Sequence, residues 1–351
     1  MISIQMIILP LCISLVLTPI IKRYSIFCGA YAKENKRTVH HGKISRIGGV
    51  AIYLAFIITM AVFIQADRAI KGLLISSSIM FFTGLIDDLI DMKPPVKLAL
   101  EVIAALVLIY FGISVDVIRM PFGIQIDMGI VSFVFTIIWV AGITNAVNLI
   151  DGLDGLAGGM SVIILIVIGS ISIIERRSDV LCITFILAAS TLGFLVYNAH
   201  PASIFMGDCG SLFLGFMISA ISLLGFKSST ILTLALPILL LMLPIIDTLS
   251  AILRRTLKGM KFMEADKSHI HHLLMSQFGH RNTVIIMCGI TALFGLSAFA
   301  YMINRNIGFF VMLVILLSVE IFIEKSAMIS EKFHPLIGLY RRIRKKMGFF
   351  R

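Results

Sequence analysis

Residues 131–174 read VSFVFTIIWVAGITNAVNLIDGLDGLAGGMSVIILIVIGSISII. Two apolar runs, 130–144 and 158–174, flank a short polar segment, and neither run contains an Asp, Glu, Lys or Arg. A bilayer span needs about 20 apolar residues, so this stretch reads as two membrane helices joined at a polar turn. Working outward, similar runs fall at 4–21, 47–66, 69–86, 96–112, 180–198, 209–226, 231–252, 283–304 and 306–323. Of the 351 residues, 59% are hydrophobic and 14% charged, and the mean hydropathy is +1.03. A water-soluble globule of this length has too little interior to hide that surface. The expected fold is all-α, a polytopic membrane protein of about eleven transmembrane helices. It comprises a single membrane domain over 1–325 and a basic tail over 326–351.

The first run lacks a basic n-region and a small-residue cleavage site, so it reads as a span rather than a signal peptide. The breaks at Asp67–Lys71 and Asn304–Asn306 read as very short loops between antiparallel helices. Cys12, Cys28, Cys182, Cys209 and Cys288 form no CxxC pair, which speaks against a disulfide framework or a thiolate zinc site.

An odd number of spans puts the termini on opposite sides. Loops on the side of 22–46 carry 23 of the 30 Lys and Arg residues, which makes that side cytoplasmic and the N-terminus external. All eight histidines fall on the same side or its membrane edge, as do Asp87, Asp88, Asp91, Asp151, Asp154 and Asp208. The outward loops read as short and nearly featureless. The net charge of +11 follows from this bias and from the tail, where Arg341, Arg342, Arg344, Lys345 and Lys346 suit an anionic lipid surface. With no soluble domain to present the charge, nucleic acid is excluded as a partner. A positive face also gathers anionic, nucleotide-like substrates.

Four segments on that face carry polar residues with no obvious structural purpose. Asp87 and Asp88 are adjacent carboxylates at a membrane boundary, costly unless a cation or proton relieves them. Lys93 and Lys97 lie near enough in sequence to balance them or to hold a phosphate. In 145–159, Asn145, Asn148, Asp151 and Asp154 recur every three residues, roughly on one face of a helix or tight turn. They offer hard oxygen ligands suited to Mg²⁺. The glycines that follow allow close approach of a ligand, and the next helix N-terminus favours phosphate. The third segment is Asn198-Ala199-His200-Pro201 followed by Phe205-Met206-Gly207-Asp208-Cys209-Gly210-Ser211, in which Asp208 either caps a helix or holds a metal. His269, His271 and His272 suit a metal or a phosphate and sugar clamp. A lone Asp247 falls within the ninth span, where Pro237 and Pro244 suggest a bend.

Together and in this order, the motifs resemble those of the polyprenyl-phosphate N-acetylhexosamine-1-phosphate transferases, over nearly the whole chain. The peptidoglycan branch of that family usually carries Thr-Pro-Thr-Met-Gly-Gly and His-His-His-Phe-Glu. Here the matching positions are Ile44-Ser45-Arg46-Ile47-Gly48-Gly49 and His269-Ile270-His271-His272-Leu273. That is similar to the branch using UDP-N-acetylglucosamine (UDP-GlcNAc), although Lys43 and Ser45 stand where prolines are common. The resemblance implies transfer of GlcNAc-1-phosphate to undecaprenyl phosphate with release of UMP. Such a step initiates a teichoic-acid linkage unit or a similar cell-surface glycan from the cytoplasmic face of the cell membrane. UDP-MurNAc-pentapeptide or another UDP-HexNAc is the alternative donor, and a homodimer is the assembly to test.

The resemblance also assigns roles. Asp208 and Asn148 would hold Mg²⁺, with Mn²⁺ as a substitute, and Asp151 would support the metal and phosphate region. Asp87 would position or deprotonate the attacking lipid phosphate, with Asp88 beside it and Lys97 on phosphate oxygens. Asp154 would contact the uracil end, Asn145 would face the substrate, and the histidines would cover the sugar. A phosphate monoester is already mostly ionised at neutral pH. The task is therefore neutralisation and alignment, which favours direct attack over a phospho-aspartate intermediate. A secondary transporter is the rival class, but transporters place polar sites at the midplane within internal repeats; here they gather at one face.

Overall fold

The computed structural model describes residues 3–27, 31, 44–119, 125–225, 242, 245 and 270–325. The expected ninth span apart from Met242 and Ile245, together with Asp247, His269 and the basic tail, lies outside the described residues. Among those residues are ten helices: α1 (Gln5–Phe27), α2 (Gly49–Phe63), α3 (Arg68–Ile90), α4 (Pro94–Tyr110), α5 (Val131–Ile150), α6 (Leu156–Ile174), α7 (Ser178–Asn198), α8 (Gly207–Gly225), α9 (Ile270–Ile303) and α10 (Arg305–Lys325). Seven are long and apolar enough to cross a membrane, and α2 and α10 supply shorter apolar helices. The chain is a polytopic helical membrane protein. It divides into two compact units, Met1–Leu241 and Met242–Arg351.

In the first unit α8 is the axis. Nearly all of its side chains are buried, including Leu212, Phe213, Phe216, Met217 and Ile221, and α2, α3, α5, α6 and α7 pack around it. Apolar residues on its neighbours, such as Ile75, Phe82, Ile138 and Ile166, are exposed instead. That distribution suits lipid, where the apolar surface needs no burial and close packing brings helices together. Small residues make this packing close. A Cβ on Gly49 would run into the backbone of Gly210, and one on Gly84 would run into the carbonyl of Asp208. Many hydroxyls in the spans return to their own helix, as Thr59 does to Ala55 and Ser76 to Gly72.

The expected short loops are present. Asp67 caps α3 by accepting from the Ile70 amide at 2.7 Å. The Asn304 side chain accepts from Asn306 and Ile307 at the start of α10. Two differences from expectation stand out. The loop after α4, expected on the outward side, carries structure of its own: β1 (Val117–Arg119) pairs antiparallel with β2 (Gln125–Asp127). In the second unit, α9 starts at Ile270 rather than near 283, because the polar stretch before the span is itself helical. Gly279, at φ 75° and ψ 171°, breaks the helix between the two parts.

Candidate active site

Helix ends of the first unit bring the motifs to one end of the bundle. The C-terminal ends of α3, α5 and α7 meet the N-terminal ends of α2, α4 and α8 there. The centre is an acid–base cluster. Lys97, from the first turn of α4, places Nζ 3.2 Å from Asp87 Oδ2 and in direct contact with Asp208 Oδ2. Asn148, near the end of α5, donates from Nδ2 to Asp208 Oδ1 at 3.1 Å and to Ser211 Oγ at 2.8 Å. Asp87, Lys97, Asn148 and Asp208 are thus joined, although 121 positions separate the first from the last.

Expected as a catalytic pair, Asp87 and Asp88 face different neighbours. Consecutive helical residues point about 100° apart. Asp87 Oδ1 accepts from the Met92 amide at 2.7 Å while Oδ2 meets Lys97. The Asp88 side chain is wholly buried, and its two oxygens accept from the amides of Asp208 and Cys209, each at 2.9 Å. Arg46 stands 3.9 Å from Asp88 and, through its other nitrogen, 3.9 Å from Asp91. A backbone ladder delivers Arg46: Phe205 donates to Ser45, Gly48 to Phe205 and Gly49 to Met206.

The row expected from Asn145 to Asp154 divides, because α5 ends at Ile150 and the helical face stops there. Asn145 donates to Glu101 Oε2 of α4 at 2.5 Å and to the Ala141 carbonyl. Asp151 follows as the helix cap residue. Burial and then the neighbouring carboxylates of Asp208, Asp88 and Asp154 push its carboxyl up to about 8, with Arg46 opposing. Asp154 is buried and accepts from the Ala202 amide at 3.1 Å, and it lies 2.9 Å from His200 Nδ1. Asn198 fastens this corner, accepting from Gly155 and donating to Ile204.

The glycines after Asp154 do not form an open phosphate cradle. Leu156, Ala157 and Gly158 are buried, and Gly158 packs closely on Leu195 and Met206. Their smallness serves helix packing. His269 is outside the described residues. His271 and His272 fall in the first turn of α9, with their side chains outside the described set.

The donor set fits a hard divalent cation. Two carboxylates, Asp87 and Asp208, already converge on a positive charge, the Lys97 ammonium. Asn148 currently offers nitrogen to Asp208, but a half-turn of its amide exchanges nitrogen for oxygen without change of shape. Oxygen ligands of this kind suit Mg²⁺ or Mn²⁺ better than zinc.

Asn198, His200 and Ser211 of the third segment join this end of the bundle, and so does Glu101, which the sequence did not single out. Glu101 left one trace, a carboxylate four residues after Lys97 and so on the same helical face.

The model of glycosyl transferase family 4 matches residues 70–226, the stretch from α3 to the end of α8. The chain is 38% identical over 338 residues to a probable undecaprenyl-phosphate N-acetylglucosaminyl 1-phosphate transferase of Bacillus subtilis, covering 95% of this chain and 94% of that one. It is 30% identical over 284 residues to an undecaprenyl-phosphate alpha-N-acetylglucosaminyl 1-phosphate transferase of Thermotoga maritima, covering 81% and 86%. A phospho-N-acetylmuramoyl-pentapeptide-transferase of Listeria welshimeri is 31% identical over 264 residues, covering 70% and 79%.

Proposed function

We propose that this chain, which belongs to glycosyl transferase family 4, transfers GlcNAc-1-phosphate from UDP-GlcNAc to undecaprenyl phosphate and releases UMP. The observation that carries the reading is the cluster of Lys97, Asp87, Asp208 and Asn148 at one end of a membrane bundle. It suits a reaction between two anionic phosphates. The likeness along nearly the full length of the Bacillus subtilis protein supports GlcNAc as the sugar.

An oxygen of the lipid phosphate forms a bond to the sugar-bearing phosphorus. The P–O bond to the second phosphate breaks, and its electron pair leaves with UMP. Asp87 aligns the lipid phosphate, and Lys97 leaves its carboxylate partners to neutralise phosphate oxygens. Asp208 and Asn148 would hold Mg²⁺, for which Mn²⁺ could substitute. When bound, the ion screens charge across the pyrophosphate. Asp151 backs this region, and Asp154 with His200 lies toward the nucleotide. The site faces the cytoplasm, where the basic loops lie. The product initiates a cell-surface glycan, a teichoic-acid linkage unit or a similar polymer.

The test is a donor panel with purified protein. UDP-GlcNAc, UDP-GalNAc and UDP-MurNAc-pentapeptide are each offered with undecaprenyl phosphate, with and without Mg²⁺. UMP release from UDP-GlcNAc that requires both lipid phosphate and Mg²⁺ is expected. Release with UDP-MurNAc-pentapeptide alone overturns the donor, and release without lipid overturns the reaction.

A further inference from the structure

We infer that Asp88 takes no part in the bond exchange and is a positioning residue, capping the first turn of α8 from the neighbouring helix and so fixing Asp208. The geometry is that of an N-cap supplied across a helix interface. The opening amides of a helix have no partner within it. Here two of them, those of Asp208 and Cys209, each donate at 2.9 Å to separate oxygens of one carboxylate from α3.

The same contact accounts for a carboxylate with no exposed side-chain surface. Two charge-assisted bonds and the positive end of the α8 dipole stabilise the charge that lipid and protein would otherwise exclude. Asp87 has different support, the Lys97 ammonium and the Met92 amide, and its side chain retains 15% exposure. One carboxylate of the pair therefore opens to the cluster, and the other is closed to it.

The attachment is rigid because α3 grips Asp208 at two points. Asp88 holds its amide, and Gly84, one turn earlier, lies against its carbonyl so closely that a Cβ would not fit. Gly207 completes the site. Its φ is +70°, and a Cβ there would run into the Arg46 carbonyl and stand 2.6 Å from Asp88 Oδ2. The backbone carrying Asp208 is thereby set against the cluster before any substrate arrives, and the two amides are not available to a phosphate.

The inference rests on the proposed metal-binding role of Asp208, and the experiment separates the two. In full-length protein in nanodiscs, hydrogen exchange at the Asp208 and Cys209 amides is measured with and without UDP-GlcNAc. Slow exchange in both states is expected; exchange that is fast without substrate, or that slows only when nucleotide is added, overturns the capping role. Asp88→Asn keeps the shape but replaces an acceptor with a donor, so exchange at these amides should quicken by about tenfold or more. Mn²⁺ binding, followed by electron paramagnetic resonance, should weaken by about 10- to 100-fold, the usual effect of losing a residue that orients a ligand. Turnover at saturating metal should then return to within about tenfold of wild type. Unchanged exchange and Mn²⁺ binding, with turnover lost at every metal concentration, would make Asp88 a chemical participant. Should Asp88→Asn fail to fold, the wild-type exchange result decides alone. Should wild type bind no Mn²⁺, the metal reading fails while exchange still judges the cap.

Discussion

The Lys97 ammonium lies 3.2 Å from Asp87 Oδ2, bridging α4 to the last turns of α3, and touches Asp208 of α8 with the same nitrogen. Its side chain is 15% exposed, so the two carboxylates rely on this charge more than on water. If Lys97 serves substrate phosphate, removing it should separate two properties. Lys97→Met should lower kcat by about 100-fold or more, the scale for losing one group that stabilises transition-state charge. Mn²⁺ affinity should meanwhile rise, because two carboxylates are left without their neutralising partner. Turnover and metal affinity falling together would instead make Lys97 a support for the cation site.

Asp151 supplies a pH dependence. Its carboxyl is pushed from 3.8 to about 8, first by burial and then by Asp208, Asp88 and Asp154. Between these values the cation-free protein holds a proton that the unfolded chain has released. Stability without cation should therefore decline as pH rises from about 4 to about 8 and level above it. A divalent cation nearby favours the carboxylate, so its binding expels the proton and its apparent affinity climbs over the same interval. Calorimetry in buffers of different ionisation enthalpy reads the proton directly. No proton release at pH 7 would remove Asp151 from the cation's neighbourhood.

Two glycines give a matched packing test. At Gly84 a Cβ would run into the Asp208 carbonyl, whereas at Gly142 on α5 nothing lies within 4 Å. Gly84→Ala forces α3 away from α8, and overpacking of this kind costs about 1–3 kcal/mol. Gly142→Ala should instead gain roughly 0.5–1 kcal/mol from helix propensity. Thermal unfolding in detergent compares them, and activity should fall only in the first. Equal behaviour of the two variants would count against the close approach of α3 to Asp208.

How far the sequence carried this picture varies by level. Apolar runs located the helices well: 158–174 became Leu156–Ile174 and 180–198 became Ser178–Asn198. Lipid imposes long helices on such runs, so composition is a strong guide. The site was legible as a set of residues but not as a geometry. Adjacent letters made Asp87 and Asp88 look like one unit, while the helical rotation between them sends one to Lys97 and the other to the α8 amides. Three-residue spacing from Asn145 to Asp154 suggested one face, yet the helix stops at Ile150 and its members go to α4, α8 and the loop before α8. Arg46 reaches Asp88 through a backbone ladder between loops far apart in sequence, for which no local pattern exists.

Glu101 is the buried carboxylate that the sequence hid inside a span, and it makes the last prediction. It is 1% exposed and accepts from Asn145 Nδ2 at 2.5 Å, four residues after Lys97 on the same face of α4. Asn145 has a second acceptor in the Ala141 carbonyl, so Glu101 fixes the direction of the amide rather than merely satisfying it. Glu101→Gln still offers an oxygen and should leave kcat/KM within about threefold, since a hydrogen bond survives. Glu101→Leu removes the acceptor at similar volume and should lower kcat/KM by about 10-fold or more, the scale of leaving a buried donor without its partner. Asn145→Ala should then add little to Glu101→Leu, because both act through one contact. Steady-state kinetics on the single and double variants checks this, and fully additive losses would show that Glu101 and Asn145 act separately.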